Sequence, residues 1–232
     1  MTKTKSHTTL ASAMPEGPRD TTEWYTGVDP LAIVDENLLA YVREHAGSSI
    51  LDLGCGTGGY SKRLQDDGCS VQALDVNEEY VKIAQSLGVA ATHFDGQKIP
   101  LPDNAVETTF LFEVLEHVPE PGKLLSEIRR VTAKNVIISV PNCTFSFDPA
   151  PVTFSHNLEL DHKNFFTKPS LRQLLSEYFP FVHVAQIEPW DRSIVAKLLP
   201  RTLFYAYRLV DNLRLIKPRV YFRLLAEARL ED

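Results

Sequence analysis

Ile50-Leu51-Asp52-Leu53-Gly54-Cys55-Gly56-Thr57-Gly58-Gly59 decides the fold of this chain. Its first residues form an apolar, strand-like run. The run breaks into glycine at 54, 56, 58 and 59, and a helical pattern begins near Tyr60. A strand that turns through glycine into a helix lets a ligand approach bare backbone. The next apolar run, Ser70 to Leu74, ends at Asp75, sixteen residues beyond Gly59. An acid at the tip of a second strand is placed to accept hydrogen bonds from ribose hydroxyls. The glycine spacing is G-x-G-x-G, whereas a dinucleotide fingerprint reads G-x-G-x-x-G and seats a pyrophosphate on the helix N-terminus. Asp52, two residues before the first glycine, repels a pyrophosphate and suits the cationic end of a ligand.

Outward from this turn the periodicity alternates between strand and helix. Apolar positions at Leu31, Val34, Leu38, Leu39 and Val42 predict a helix over Pro30–His45. Strands are expected at Ile50–Leu53, Val71–Asp75, Val89–His93, Val106–Phe112, Val136–Val140, Phe181–Ile187 and Val220–Leu230. Helices are expected at Tyr60–Asp66, from Asn77 through Leu87, at Pro121–Val131 and from Thr167 through Tyr178, with Asn77 and Thr167 as caps. The βαβαβ order predicts an α/β doubly wound, Rossmann-like sheet. Ile99-Pro100-Leu101-Pro102-Asp103, leading into the fourth strand, reads as structural.

At this point the chain resembles the class I S-adenosylmethionine (SAM) methyltransferases, whose first motif is similar to Leu51–Gly58. The resemblance runs from about Asp35 to Leu175. It implies seven strands, the last two an antiparallel hairpin. It also implies a SAM site built from Asp52, Gly54, Cys55, Gly56 and Gly58 at the methionine end, Asp75 on the ribose, and Val76, Asp95, Gly96 and Phe112 around the adenine and the site wall.

The segment Phe112-Glu113-Val114-Leu115-Glu116-His117-Val118 follows the fourth strand, and Glu159-Leu160-Asp161-His162-Lys163-Asn164-Phe165-Phe166 lies far downstream. On a helix, Glu113, Glu116 and His117 would share one face, and two carboxylates with an imidazole suit a divalent cation. Both segments resemble those of small-RNA 3′-terminal 2′-O-methyltransferases, and the first resembles ubiquinone-pathway O-methyltransferases. That likeness implies a Mg²⁺ or Mn²⁺ site of Glu113, Glu116, His117 and His162, with His156 as a further candidate. Many small-molecule methyltransferases carry similar segments without metal; there His117 or His162 is the candidate general base and Glu113 a neighbour at the methyl end.

The expected reaction is methyl transfer to a hydroxyl of a small molecule or of a sugar or glycan. Rival readings are RNA-terminal 2′-O-methylation, small-molecule N-methylation and SAM binding without catalysis. The chain has 232 residues, 44% of them hydrophobic, enough for one domain with a full core. Residues 1–20 read as a disordered tail without a secretory signal, followed by one methyltransferase domain over 21–232. Three scattered cysteines fit a reducing, cytoplasmic setting. The net charge of −6 weighs against nucleic acid. Residues 142–166 read as a substrate loop and 190–218 as a basic, helical insertion before the last strand. Three partners compete for that insertion: the protein itself, through the sheet or a homodimer; an anionic membrane surface reached through 193–216; and nucleic acid.

Overall fold

The computed structural model describes residues 26–143, 161–189 and 221–231, together with Leu203 and Tyr205. The tail over 1–20, most of the 142–166 loop and nearly all of the 190–218 insertion lie outside the described residues.

Seven strands form one sheet in the order β3-β2-β1-β4-β5-β7-β6. They are β1 (Ser49–Leu53), β2 (Ser70–Asp75), β3 (Ala91–His93), β4 (Val106–Phe112), β5 (Thr132–Pro141), β6 (Phe181–Pro189) and β7 (Tyr221–Arg229). The first five are parallel, and β7 runs antiparallel to both β5 and β6. The expected doubly wound sheet with a terminal antiparallel hairpin is therefore the observed one. Chain order reverses between β1 and β4, which makes their carboxyl ends the topological switch point, where open α/β sheets take ligands.

Successive strand side chains leave opposite faces of the sheet. Leu51, Leu111, Ile138 and Leu224 enter one cluster with Leu124, Leu125 and Ile128 of helix α4 (Pro121–Val131) and Leu171 and Leu175 of α5 (Lys168–Ser176). Their neighbours Ile50, Phe110, Ile137 and Leu225 face the other way, onto Leu38, Leu39 and Val42 of α1 (Glu36–His45) and Leu64 of α2 (Gly59–Asp66). α3 (Glu78–Ser86) adds a third cluster through Val81 and Ala84.

The helix expected from Pro30 begins only at Glu36. Asp35 caps it, its carboxylate accepting from the amides of Asn37 and Leu38, and Pro30 to Ile33 form a turn instead. The apolar periodicity continued past a cap that ends the helix. Asn77 and Thr167 are the expected caps, and Thr167 forms a reciprocal box with Ser170. The Ile99–Asp103 segment is structural as read: the Arg130 guanidinium donates to the Ile99 and Leu101 carbonyls and to Asp103.

Gly58 opens α2 with φ +87, a left-handed conformation that carries no penalty only in glycine. A Cβ there would lie 2.7 Å from Ala84 Cβ, so α2 and α3 touch through this residue. Gly58→Ala is expected to lose about 2–4 kcal/mol from left-handed strain and overpacking together, read as a lower denaturant midpoint. An unchanged midpoint would show that the turn relaxes freely.

Candidate active site

The strand-to-helix turn hooks onto its neighbour strand. The amides of Gly54 and Cys55 both donate to the Leu74 carbonyl, and Gly56 N–H donates to Asp75 Oδ2 at 2.7 Å. Asp75 Oδ1 accepts from Asn77 N–H at 2.8 Å. A carboxylate offers about four acceptor positions, so Asp75 keeps room for two further donors. Asp52 is 3% exposed and takes the Ser61 hydroxyl at 2.6 Å. Ser61 lies in the first turn of α2, which has no side-chain cap of its own, so Asp52 supplies from β1 the negative charge that the helix start favours.

These two acids are unusual. Burial pushes the Asp52 carboxyl up to about 7 against the Ser61 hydrogen bond, and the nearby Asp75 charge adds to the rise. Burial also raises Asp75, although the amides of Asn77, Gly56 and Val76 oppose it. Two buried carboxylates side by side are relieved by a cation. Cys55 is buried near both, and burial with the two charges pushes its thiol far above the ordinary range, leaving it neutral and inert.

Beyond Asp75, Val76 is exposed and stands against Gly96, where a Cβ would reach Val76 Cγ1 at 3.4 Å. The two residues lie side by side past the tip of β2. Asp95 beside them is exposed and closes its own turn, Oδ1 accepting from Gln97 and Lys98 N–H, which lowers its pKa. Phe112 packs edge-on against Tyr60 at 5.2 Å, on the α1–α2 side of the sheet.

The segment after β4 departs from the helical expectation. Glu113 has φ +55, and only Leu115–His117 wind, as a single 3-10 turn. Glu113 therefore leaves the group with which the i, i+3, i+4 spacing placed it. It accepts from Ser139 Oγ at 2.8 Å and pairs with Arg223 Nε at 3.1 Å. Glu116, His117 and His162 do come together, one ligand atom from each lying within 4.8 Å of the others. The His117 and His162 rings meet edge to face at 4.8 Å. His156 lies outside the described residues.

Contact between Gly54 and Val114 joins the two halves into one site: a Cβ on Gly54, whose φ is +80, would overlap the Val114 side chain. The glycine turn and the segment carrying Glu116 and His117 thus lie side by side at the switch point.

Sequence reasoning missed two participants. Nothing in the sequence around Asp161 assigns it a role, and its carboxylate lies 3.2 Å from His117 Nδ1. Arg223, at the start of β7, is surrounded by Asp35, Glu113 and Glu188. No motif marks Arg223; only the register of β7 between β5 and β6 brings it to the site edge.

Comparison with known proteins agrees with this fold. Residues 51–140 match the family described as "Methyltransferase domain". A malonyl-[acyl-carrier protein] O-methyltransferase of Serratia marcescens is 34% identical over 108 residues, 45% of this chain and 42% of that protein. A ubiquinone biosynthesis O-methyltransferase of Bordetella pertussis is 31% identical over 107 residues, 41% of this chain and 44% of that protein. The matches thus cover less than half the length of these curated relatives. Among solved structures, a SAM-dependent methyltransferase from Archaeoglobus fulgidus superposes with a TM-score of 0.62 at 17% identity, covering 89% of this chain and 99% of the other. Phosphoethanolamine N-methyltransferase 2 of Haemonchus contortus, in complex with SAM, gives 0.60 at 16% identity over 85% of this chain and 52% of its own. Residues 51–140, which hold the glycine turn and the acid-tipped second strand, thus match the methyltransferase-domain family, and the fold is the one found in SAM-dependent methyltransferases.

Proposed function

We propose that the chain transfers the methyl group of SAM to a hydroxyl oxygen of a small-molecule acceptor. The observation that carries this reading is the abutment of Gly54 on Val114, which sets a cation-favouring turn beside a pair of packed imidazoles. The names of the two relatives, both O-methyltransferases, support the choice of oxygen.

In this reading Asp75 takes the ribose hydroxyls, Val76 and Gly96 flank the adenine, and Asp95 is near its amino group. The backbone at Gly54, Cys55, Gly56 and Gly58 lines the methionine end, with Asp52 supplying negative charge behind it. SAM supplies an electrophilic methyl on a sulfonium. The protein's part is to align the acceptor with it and to take the hydroxyl proton, for which His117 is the proposed base. A sugar or glycan acceptor would be read by residues 144–160 and 190–220, and a peripheral membrane contact would run through 193–216; of these only Leu203 and Tyr205 are among the described residues. Among the described residues no helix is long and apolar enough to cross a membrane.

A metal-assisted variant of the same reaction is favoured by one observation, the convergence of Glu116, His117 and His162. These three, without Glu113, would hold Mg²⁺ or Mn²⁺, which lowers the pKa of a bound hydroxyl. Calorimetric titration of SAM and S-adenosylhomocysteine (SAH) in EDTA, then with each cation, tests both readings. Absence of SAM binding throughout defeats the methyltransferase proposal. Cation binding that disappears in Glu116→Ala favours the metal-assisted form.

Binding is expected to depend on pH through Asp52. Its carboxyl is pushed up to about 7, and only the ionised form favours a cation. Below pH 7 the free protein holds a proton there that SAM must expel, so affinity falls toward tenfold per pH unit; above pH 7 it levels off. Asp52→Asn is expected to flatten the profile at the weak end. A profile with no inflection near 7 in the parent protein would remove Asp52 from the cation-binding role.

A further inference from the structure

Asp161 and His117 come from different parts of the chain, and their meeting is enforced. Residues 163 and 164 are pinned to the turn that carries His117. The amides of Lys163 and Asn164 donate to the Glu116 carbonyl at 2.7 and 2.9 Å. The Asn164 side-chain amide donates to the carbonyls of Leu115 and Val118 at 3.1 and 2.7 Å. Four hydrogen bonds thus bracket the 3-10 turn from one short stretch. His162, in the same stretch, is buried and packs its ring against His117. With backbone and neighbour fixed, Asp161 Oδ2 stands 3.2 Å from His117 Nδ1.

We propose that Asp161 is a positioning residue for His117, holding the imidazole in the tautomer that carries its hydrogen on Nδ1 and leaves Nε2 as a bare acceptor nitrogen. Both side chains are partly exposed, so the pair adds little to stability. Its effect is on which nitrogen holds the proton, because a carboxylate beside one ring nitrogen favours the hydrogen there and leaves the other nitrogen bare. The catalytic meaning rests on the O-methylation reading. There the acceptor O–H proton passes to Nε2 as the O–CH₃ bond forms and the S–CH₃ bond breaks. The sulfonium becomes a neutral thioether, and the positive charge moves to an imidazolium facing the Asp161 carboxylate.

The test needs no acceptor. Long-range ¹H–¹⁵N correlation spectra of ¹⁵N-histidine-labelled protein, recorded at pH 8 in EDTA, report each imidazole's tautomer, with His117→Gln identifying the His117 signals. The parent protein is expected to show the Nδ1–H form at His117. Asp161→Ala is expected to move it to the Nε2–H form, and Asp161→Glu to restore the parent pattern. An Nε2–H form in the parent protein overturns the proposal, as does an Nδ1–H form that survives in Asp161→Ala. Failure of the O-methylation reading would appear elsewhere, as absent SAM binding or as His117→Gln retaining full turnover, with the tautomer result intact.

Discussion

Asp75→Ala is expected to weaken SAM and SAH binding alike, by about 100-fold or more. The carboxylate already ties Gly56 N–H and Asn77 N–H and is 7% exposed, so it is rigidly aimed. Hydrogen bonds to an ionised acceptor contribute about 1.5–3 kcal/mol each, and in the proposed site two ribose hydroxyls would depend on this one. At about 1.4 kcal/mol per decade, losing both reaches two orders of magnitude or more. The equality of the two losses is the diagnostic part. SAM and SAH share the ribose and differ at the sulfur charge. Calorimetry that shows SAM weakened and SAH spared would make Asp75 a charge partner instead, and unchanged binding of both would remove it from the site. Asp75→Asn keeps one side-chain acceptor and is expected to fall between.

Arg223→Met is expected to cost about 3 kcal/mol of folding stability, the lower end for breaking a buried ion pair. For a chain of this size that lowers Tm by roughly 6–12 °C. The Arg223 guanidinium is 21% exposed and faces Asp35 and Glu113 at 3.0 and 3.1 Å, with Glu188 closer still. Two of the three acids hold left-handed backbone, Glu113 at φ +55 and Glu188 at φ +56. That conformation is costly outside glycine and persists where surroundings enforce it. Methionine fills the volume and leaves three carboxylates without their cation. Burial already raises Glu188 despite the arginine. Without the arginine Asp35 and Glu188 would protonate more readily, so the stability deficit should be largest above neutral pH and shrink as pH falls. A deficit independent of pH would point to lost packing rather than lost charge.

The sheet was legible because its signals are local and mutually consistent. Alternating apolar runs, glycine at the turn, and Asn77 and Thr167 as caps each specify their own segment without reference to distant residues. The places of the proposed cofactor residues could be read for the same reason, since they follow from strand ends. Glu113 was misplaced because spacing was projected onto a helix that does not form. The chain leaves β4 through a left-handed residue, and two ion-pair and hydrogen-bond partners from β5 and β7 fix that residue. Helix periodicity cannot report such partners. Arg223 and Asp161 were invisible for a related reason: each acquires its role from a neighbour more than forty residues away, through strand register in one case and the Asn164 bracket in the other.

The pairing of Pro189 with Tyr221 has a consequence for how such a chain diversifies. The two strands are already zipped to that last pair, so whatever lies between leaves and re-enters the sheet at the same spot. Changing the length of an excursion whose ends are held together costs little, about 0.6 kcal/mol per doubling. A variant with a shortened connection is therefore expected to keep the register of β6 and β7, because the last pair holds the two ends together whatever the length between them.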